Sequence, residues 1–190
     1  MDAAEAALRA TRAWVEQAVI GLNLCPFAKA VQVKGRVRYV CSHAHDTATL
    51  LATLRAELLR LRDAPIEATE TTLLVHPWVL SDFGDYNDFL DEADALLREL
   101  DLEGTLQIAS FHPQYRFAGT EPDDIGNATN RSPHPTLHLL REASIDRALQ
   151  ADPQAESIVE ANLRTLRGLG AEGWARLQAL INPDIRPDER

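Results

Sequence analysis

Three short runs, RVRYVC at 36–41, TTLLVH at 71–76 and LQIASF at 106–111, recur along the chain with helix-length amphipathic segments between them. That alternation constrains the fold more than any other feature. A strand, a covering helix and a second strand in one sheet close as a right-handed crossover, which makes the strands parallel and lays the helices on the sheet. The first helix is expected over residues 4–22, with Leu8, Thr11, Trp14 or Val15, Ala18, Val19 and Leu22 at three-and-four spacing. It ends at Asn23-Leu24-Cys25-Pro26, because Pro26 disfavours helix at the residue before it. Asp46 or Thr47 caps a second helix striped by Leu50, Leu51, Leu54, Leu58 and Leu61. A third, over 85–100, carries Phe89, Ala93, Leu96, Leu97 and Leu100. Further on, Ser132-Pro133 opens a helix through Leu140 and toward Leu149. Asp152-Pro153 restarts one through Leu169, and residues 171–181 make a last short one.

The expected fold is therefore α/β: a small, mostly parallel sheet of three to four strands flanked by helices, with a helical C-terminal segment. An α+β arrangement is the alternative, with an antiparallel edge strand supplied by 78–80 or 115–117. Residues 1–181 are expected to form one domain and 182–190, polar with two prolines, a frayed tail. The chain has the length to bury a core. Residues 1–12 lack the basic start, apolar stretch and cleavage site of a signal peptide, and no apolar run is long enough to span a bilayer. A cytoplasmic location is expected. Two cysteines, Cys25 and Cys41, are too few for a disulfide scaffold and are read as thiols. A net charge of −10 argues against a nucleic-acid backbone as partner.

Residues 111–141 concentrate polar chemistry in a long irregular connection, which in a compact domain is usually functional. The segment leaves the C-terminal end of the third strand run, where ligands gather in open α/β sheets. His76-Pro77 leaves the second run in the same manner, so His76 and His112 are expected on one sheet edge. Ser132 as a cap with Pro133 at the first helical position offers free N–H groups beside Arg131, which suits a phosphate or carboxylate. His138 and Arg141 would share a face of that helix. The pair His134/His138 has metal-ligand spacing, but Pro135 stands where a zinc-protease motif has Glu. Cys41, His43 and His45 would share a strand face without a fourth ligand, and we assign no metal there. The nine acids of 82–103 read as a solvated helix surface. Cys25 lacks a local group that would lower its pKa, apart from Lys29, so it reads first as a buried thiol.

Cys25-Pro-Phe, His76-Pro, Asp85-Tyr-Asn-Asp-Phe, Ala109-Ser-Phe-His-Pro and Asn127-Ala-Thr-Asn-Arg-Ser-Pro-His-Pro occur in this order. With them the chain resembles the bacterial family named domain of unknown function 1415, from the first helix to about Leu169. The family pattern includes His138-Leu-Leu-Arg141 and depends neither on His134 nor on the Cys41/His43/His45 cluster. The resemblance implies a bacterial, cytoplasmic protein and brings no catalytic residues, substrate or cofactor with it. From the residues themselves three readings follow. In the first, the protein is an enzyme acting on a small anionic metabolite. His112 and His138 supply acid/base chemistry and Cys25 an accessory thiol, while His76, Asn130, Arg131, Ser132 and Arg141 bind. In the second, the same loop is a non-catalytic module for an anion or a protein. In the third, the segment is structural and its histidines bond backbone carbonyls.

Overall fold

The structure, a computed structural model, describes residues 2–151 and 157–182. Four strands form one sheet: β1 (Val37–Cys41), β2 (Thr71–Val75), β3 (Leu106–Phe111) and β4 (Thr136–Arg141). Their spatial order is β1-β2-β4-β3. β1 and β2 pair in parallel, and β4 runs antiparallel to both β2 and β3, so three strands share one direction and one opposes them. The mostly parallel sheet, its flanking helices and the helical C-terminal segment are as the sequence led us to expect. The one antiparallel strand is neither 78–80 nor 115–117, and it sits inside the sheet.

That strand replaces the helix expected from Ser132 through Leu140. TLHLLR is too short for periodicity to separate a buried strand from a buried helix turn, and its leucines favour helix locally. Between two strands its period of two decides: Leu137 and Leu139 are fully buried on one face, while Thr136, His138 and Leu140 point to the other. The next helix, α5 (Glu142–Ala151), starts only after this strand.

Helices cover both faces. On one lie α3 (Thr47–Asp63) and α4 (Phe83–Glu99), capped by Asp46 and Asp82, whose carboxylates accept from Thr49 N (2.7 Å) and from Gly84 N (2.7 Å). Leu50, Leu54, Leu58 and Leu61 of α3 are wholly buried there with Phe89, Leu96, Leu74, Leu106, Leu137 and Leu139. At about 2 kcal/mol for each leucine side chain taken from water, this stripe is the main attachment of α3. The bidentate Arg38–Glu57 pair (2.8 and 3.1 Å) adds register between β1 and α3.

On the other face lie α1 (Ala3–Trp14), the π-helical turn Val15–Ile20 that prolongs it, and α6 (Ile158–Ile181). Trp14, Ala18, Tyr39, Leu73, Leu166 and Trp174 are buried together, with Phe111 packed against them. A short helix, α2 (Ala28–Val33), follows Pro26 and was not anticipated from the sequence. α6 bends at Gly170 (φ 68°, ψ 172°), at the expected boundary between a helix ending at Leu169 and one over 171–181. The expected restart at Asp152-Pro153 and the tail beyond Asn182 lie outside the described residues. Among the described residues no helix is long and apolar enough to cross a membrane.

Candidate functional site

Because β1, β2 and β3 share a direction, their C-terminal ends form one edge, and the connections after them bring His43, His45, His76 and His112 to it. His43 and His45 lie against the Trp78 ring at 5.4 and 5.8 Å, and both are exposed. His76 and His112 lie deeper. Each is fully buried, and each packs on Tyr86 of α4, with ring centroids at 5.8 and 5.0 Å.

The hydrogen bonds fix the state of both rings. His112 Nδ1 accepts from Gln114 N–H (3.0 Å), so its Nε2 carries the proton and donates to Leu80 O (3.1 Å). Both nitrogens are satisfied in the neutral ring, and burial holds the pKa below the usual histidine value. His76 Nδ1 bonds Val79 O (3.1 Å), which requires Nδ1–H and leaves Nε2 as a bare lone pair. That Nε2 is buried with no partner among the described residues. Burial first, and the neighbouring His112 in addition, depress the His76 pKa to about 4.

Tyr86 joins the two rings to the sheet. Its hydroxyl accepts from Phe111 N–H (3.0 Å) and donates to Thr136 O (2.9 Å). Phe111 and Thr136 are register partners, so the phenol bridges the last pair of the β3/β4 ladder. A turn away, Phe83 lies 5.5 Å from His112 and 5.2 Å from Tyr115, which is 5.0 Å from Phe117. The rings thus run from the buried histidines to solvent, where Phe117 is 38% exposed.

The segment after β3 is stitched to itself by side chains bonding backbone. Asn127 Oδ1 accepts from Phe117 N (3.0 Å) and Thr120 Oγ1 (2.8 Å), while its Nδ2 donates to Glu121 O (2.8 Å). Asn130 Nδ2 donates to Ser110 O (3.0 Å). Arg131 donates from Nε to Tyr115 O (3.3 Å) and from Nη2 to Pro122 O. Ser132 Oγ donates to His134 O (2.6 Å), closing a turn before β4 rather than capping a helix. The helix-start anion site expected at Ser132 is therefore absent, because no helix begins there.

Two expected members lie elsewhere. His138, midway along β4, faces α1 beside Phe111 (6.0 Å), on the opposite face from His76 and His112. Its Nε2 is 2.7 Å from Thr71 Oγ1, whose own proton goes to Leu139 O (2.6 Å), so His138 donates from Nε2. The residue keeps some exposed surface, yet the surrounding protein holds its pKa down to about 4. Arg141, three residues on and facing the other way, donates from Nη2 to Leu61 O, Ala64 O and Thr69 O, binding the end of α3. Strand geometry, not the helical spacing inferred from sequence, separates the pair.

Cys25 sits beyond the π turn, where Asn162 Nδ2 of α6 donates to Leu24 O (2.9 Å). Burial pushes its thiol pKa up, against the pull of the Phe27 and Ala28 amides, and so disfavours the thiolate. Tyr86 and Asn127 were missed by the sequence reading. Tyr86 falls three residues before Phe89 on the α4 stripe, and both Tyr86 and Asn127 lie within the motifs that carry the family resemblance. An open groove of about 360 Å³ between α4 and the start of β3 is lined by Asp94, Arg98, Glu103 and Glu142 and contains none of these histidines. Among the described residues no group of three or more His, Cys, Asp or Glu is placed to hold a metal ion.

No curated protein and no solved structure matches the chain. Residues 6–176 match the family described as "Protein of unknown function (DUF1415)", and the chain belongs to that family.

Proposed function

We propose that the protein binds and acts on a small molecule at the strand ends of β2 and β3, with His76 Nε2 as the acceptor of a hydrogen bond from it. The observation that carries this reading is a buried imidazole whose tautomer is set by Val79 O and whose second nitrogen has no partner among the described residues. Buried polar atoms are rarely left unpaired, and an exception calls for a partner such as a ligand or an ordered water. Thr72 Oγ1, Arg141 Nε and Trp174 Nε1 are others, but His76 Nε2 is the one at the strand ends. The ring is held neutral by burial, so its bare Nε2 lone pair is available to accept a hydrogen bond from a donor on the ligand. His112 and Tyr86 act as positioning residues. A cytoplasmic setting and a partner other than nucleic acid belong to the same reading, supported by two free thiols and by the acidic net charge.

The second reading, binding without catalysis, is favoured by one observation: His112 and Asn130 are engaged with backbone groups, and among the described residues His76 Nε2 has no hydrogen-bond partner. Thermal shifts across a panel of small metabolites test the shared core of both. Some member should stabilise the wild type and leave His76→Phe unmoved, since phenylalanine keeps the packing on Tyr86 and removes the acceptor. Equal shifts in both proteins, or none in the wild type, would sink the proposal. Turnover of the stabilising compound, measured next, separates enzyme from binder.

A further inference from the structure

Of the sheet's two edges, the chain closes one and leaves the other open. The outer edge of β3 is taken at both ends: Leu106 N–H by Leu102 O (2.9 Å), Ser110 O by Asn130 Nδ2 (3.0 Å) and His112 N–H by Asn130 O (3.2 Å). At β1 the outcome differs. Arg36 O accepts from Thr71 N (3.4 Å) and Ser42 N donates to Val75 O (2.7 Å), which sets the phase of the parallel ladder. Arg38 and Val40 therefore face β2, and Val37, Tyr39 and Cys41 turn their N–H and C=O groups outward. None of these outward groups has a hydrogen-bond partner among the described residues. Val37, Arg38, Val40 and Cys41 are half-buried, whereas every residue of β2, which has a strand on either side, is buried. Tyr39 is buried because its ring lies beneath the Arg12 guanidinium (4.1 Å) on the α1 face.

We infer that this edge pairs with the β1 edge of a second copy of the chain, antiparallel about a two-fold axis at Tyr39, so that one sheet runs through two molecules. An uncovered edge is a template for another strand, and three features select a second copy. The outward groups are self-complementary: Tyr39 meets its own counterpart and Val37 meets Cys41, each pair exchanging two N–H···O=C bonds. The charges at the two ends of the strand are opposite. Lys34, exposed, stands before the Val37 end. Asp2 lies at the Cys41 end, where burial first, and the Asp2 carboxylate in addition, raise the thiol pKa to about 11. Antiparallel pairing sets each lysine toward the partner's Asp2. Val33, 78% exposed, also lies before the Val37 end, where the second molecule would cover it. A net charge of −10 on each chain and an edge of five residues keep the association weak. Two short strands provide less than the roughly 1,200–2,000 Å² of a standard interface, so dissociation in the micromolar range is expected.

The test is sedimentation equilibrium of the full chain from about 1 to 500 µM, together with amide exchange resolved by residue. The mass is expected to rise toward twice the 21.1 kDa of one chain, with the Val37, Tyr39 and Cys41 amides becoming protected in step with it. The Arg38 and Val40 amides, which face β2, should be protected at every concentration. Val37→Pro removes an outward donor at the first residue of an edge strand, a place that tolerates proline, and leaves the ladder to β2 whole. It is expected to weaken the dimer at least about tenfold, the scale of the lost bonds. Lys34→Glu, on an exposed side chain, should weaken it as well, and carries the comparison if the proline variant fails to fold. A chain that stays monomeric at the highest concentration overturns the inference, as does a dimer unaffected by both substitutions. A dimer in which the three amides exchange freely places the interface elsewhere and overturns it too. So does a monomer in which they are protected at every dilution, since a segment of the same chain then covers the edge.

Discussion

Removing one oxygen atom from Tyr86 should cost more than removing a methyl group from most of the core. The hydroxyl bridges Phe111 N–H and Thr136 C=O where β3 and β4 end, and Tyr86 is fully buried. Tyr86→Phe would leave both backbone groups unpaired, each at about 1–3 kcal/mol, so a loss of about 2–6 kcal/mol is expected in urea unfolding. A loss below about 1 kcal/mol would mean that the strands close the pair directly. At this scale the sequence was legible in types and illegible in partners. His76 and His112 were placed on one edge from topology alone, and both rings do pack on Tyr86. Asn130, Arg131 and Ser132 looked free to bind an anion because a sequence does not reveal which carbonyl comes within reach after folding. Ser110, Tyr115, Pro122 and His134 supplied those carbonyls.

Among the elements, β4 and α6 show opposite outcomes of local reading. In α6 the chain breaks where the sequence shows Gly170, whose φ of 68° and ψ of 172° suit a residue without Cβ. An added Cβ would meet nothing within 4 Å, so the cost of Gly170→Ala is backbone strain alone. About 1–3 kcal/mol is expected, measured as a drop in the unfolding midpoint, and an unchanged midpoint would show that the kink is dispensable. Gly21 is required for another reason: a Cβ there would lie 2.2 Å from Gln17 O, beside the π turn. β4 read as helix because leucine-rich runs of six residues carry no decisive period. The outcome depended on β2 and β3 offering unpaired edges on both sides, which is long-range information.

At the scale of the whole molecule, both faces of the sheet carry histidines that resist protonation. His76 lies on the α3/α4 side and His138 on the α1 side, and both have folded pKa values of about 4 against an ordinary 6.5. A depressed histidine pKa means that the unfolded chain binds protons more readily. Stability from these groups is complete above about pH 6.5 and is lost as the pH falls toward 4. Each contributes a slope of about 1.4 kcal/mol per pH unit in that window. The urea midpoint should therefore drop between pH 7 and pH 5, and the drop should shrink in a His76→Phe, His138→Gln double variant. A wild-type midpoint that is flat over this range would show that the folded protein accepts these protons. The sequence by itself determined the alternation of strands and helices, the leucine stripe of α3, its cap at Asp46 or Thr47, and the edge on which His76 and His112 meet. These follow from residue order, because periodicity, capping and crossover handedness are local or topological rules. Only the tertiary structure decided that TLHLLR is a strand, that His138 faces away from the other two histidines, and that Arg131 and Arg141 donate to backbone carbonyls. Those outcomes turn on which polar groups are left unpaired by distant parts of the chain, and burial forces the nearest side chain to satisfy them.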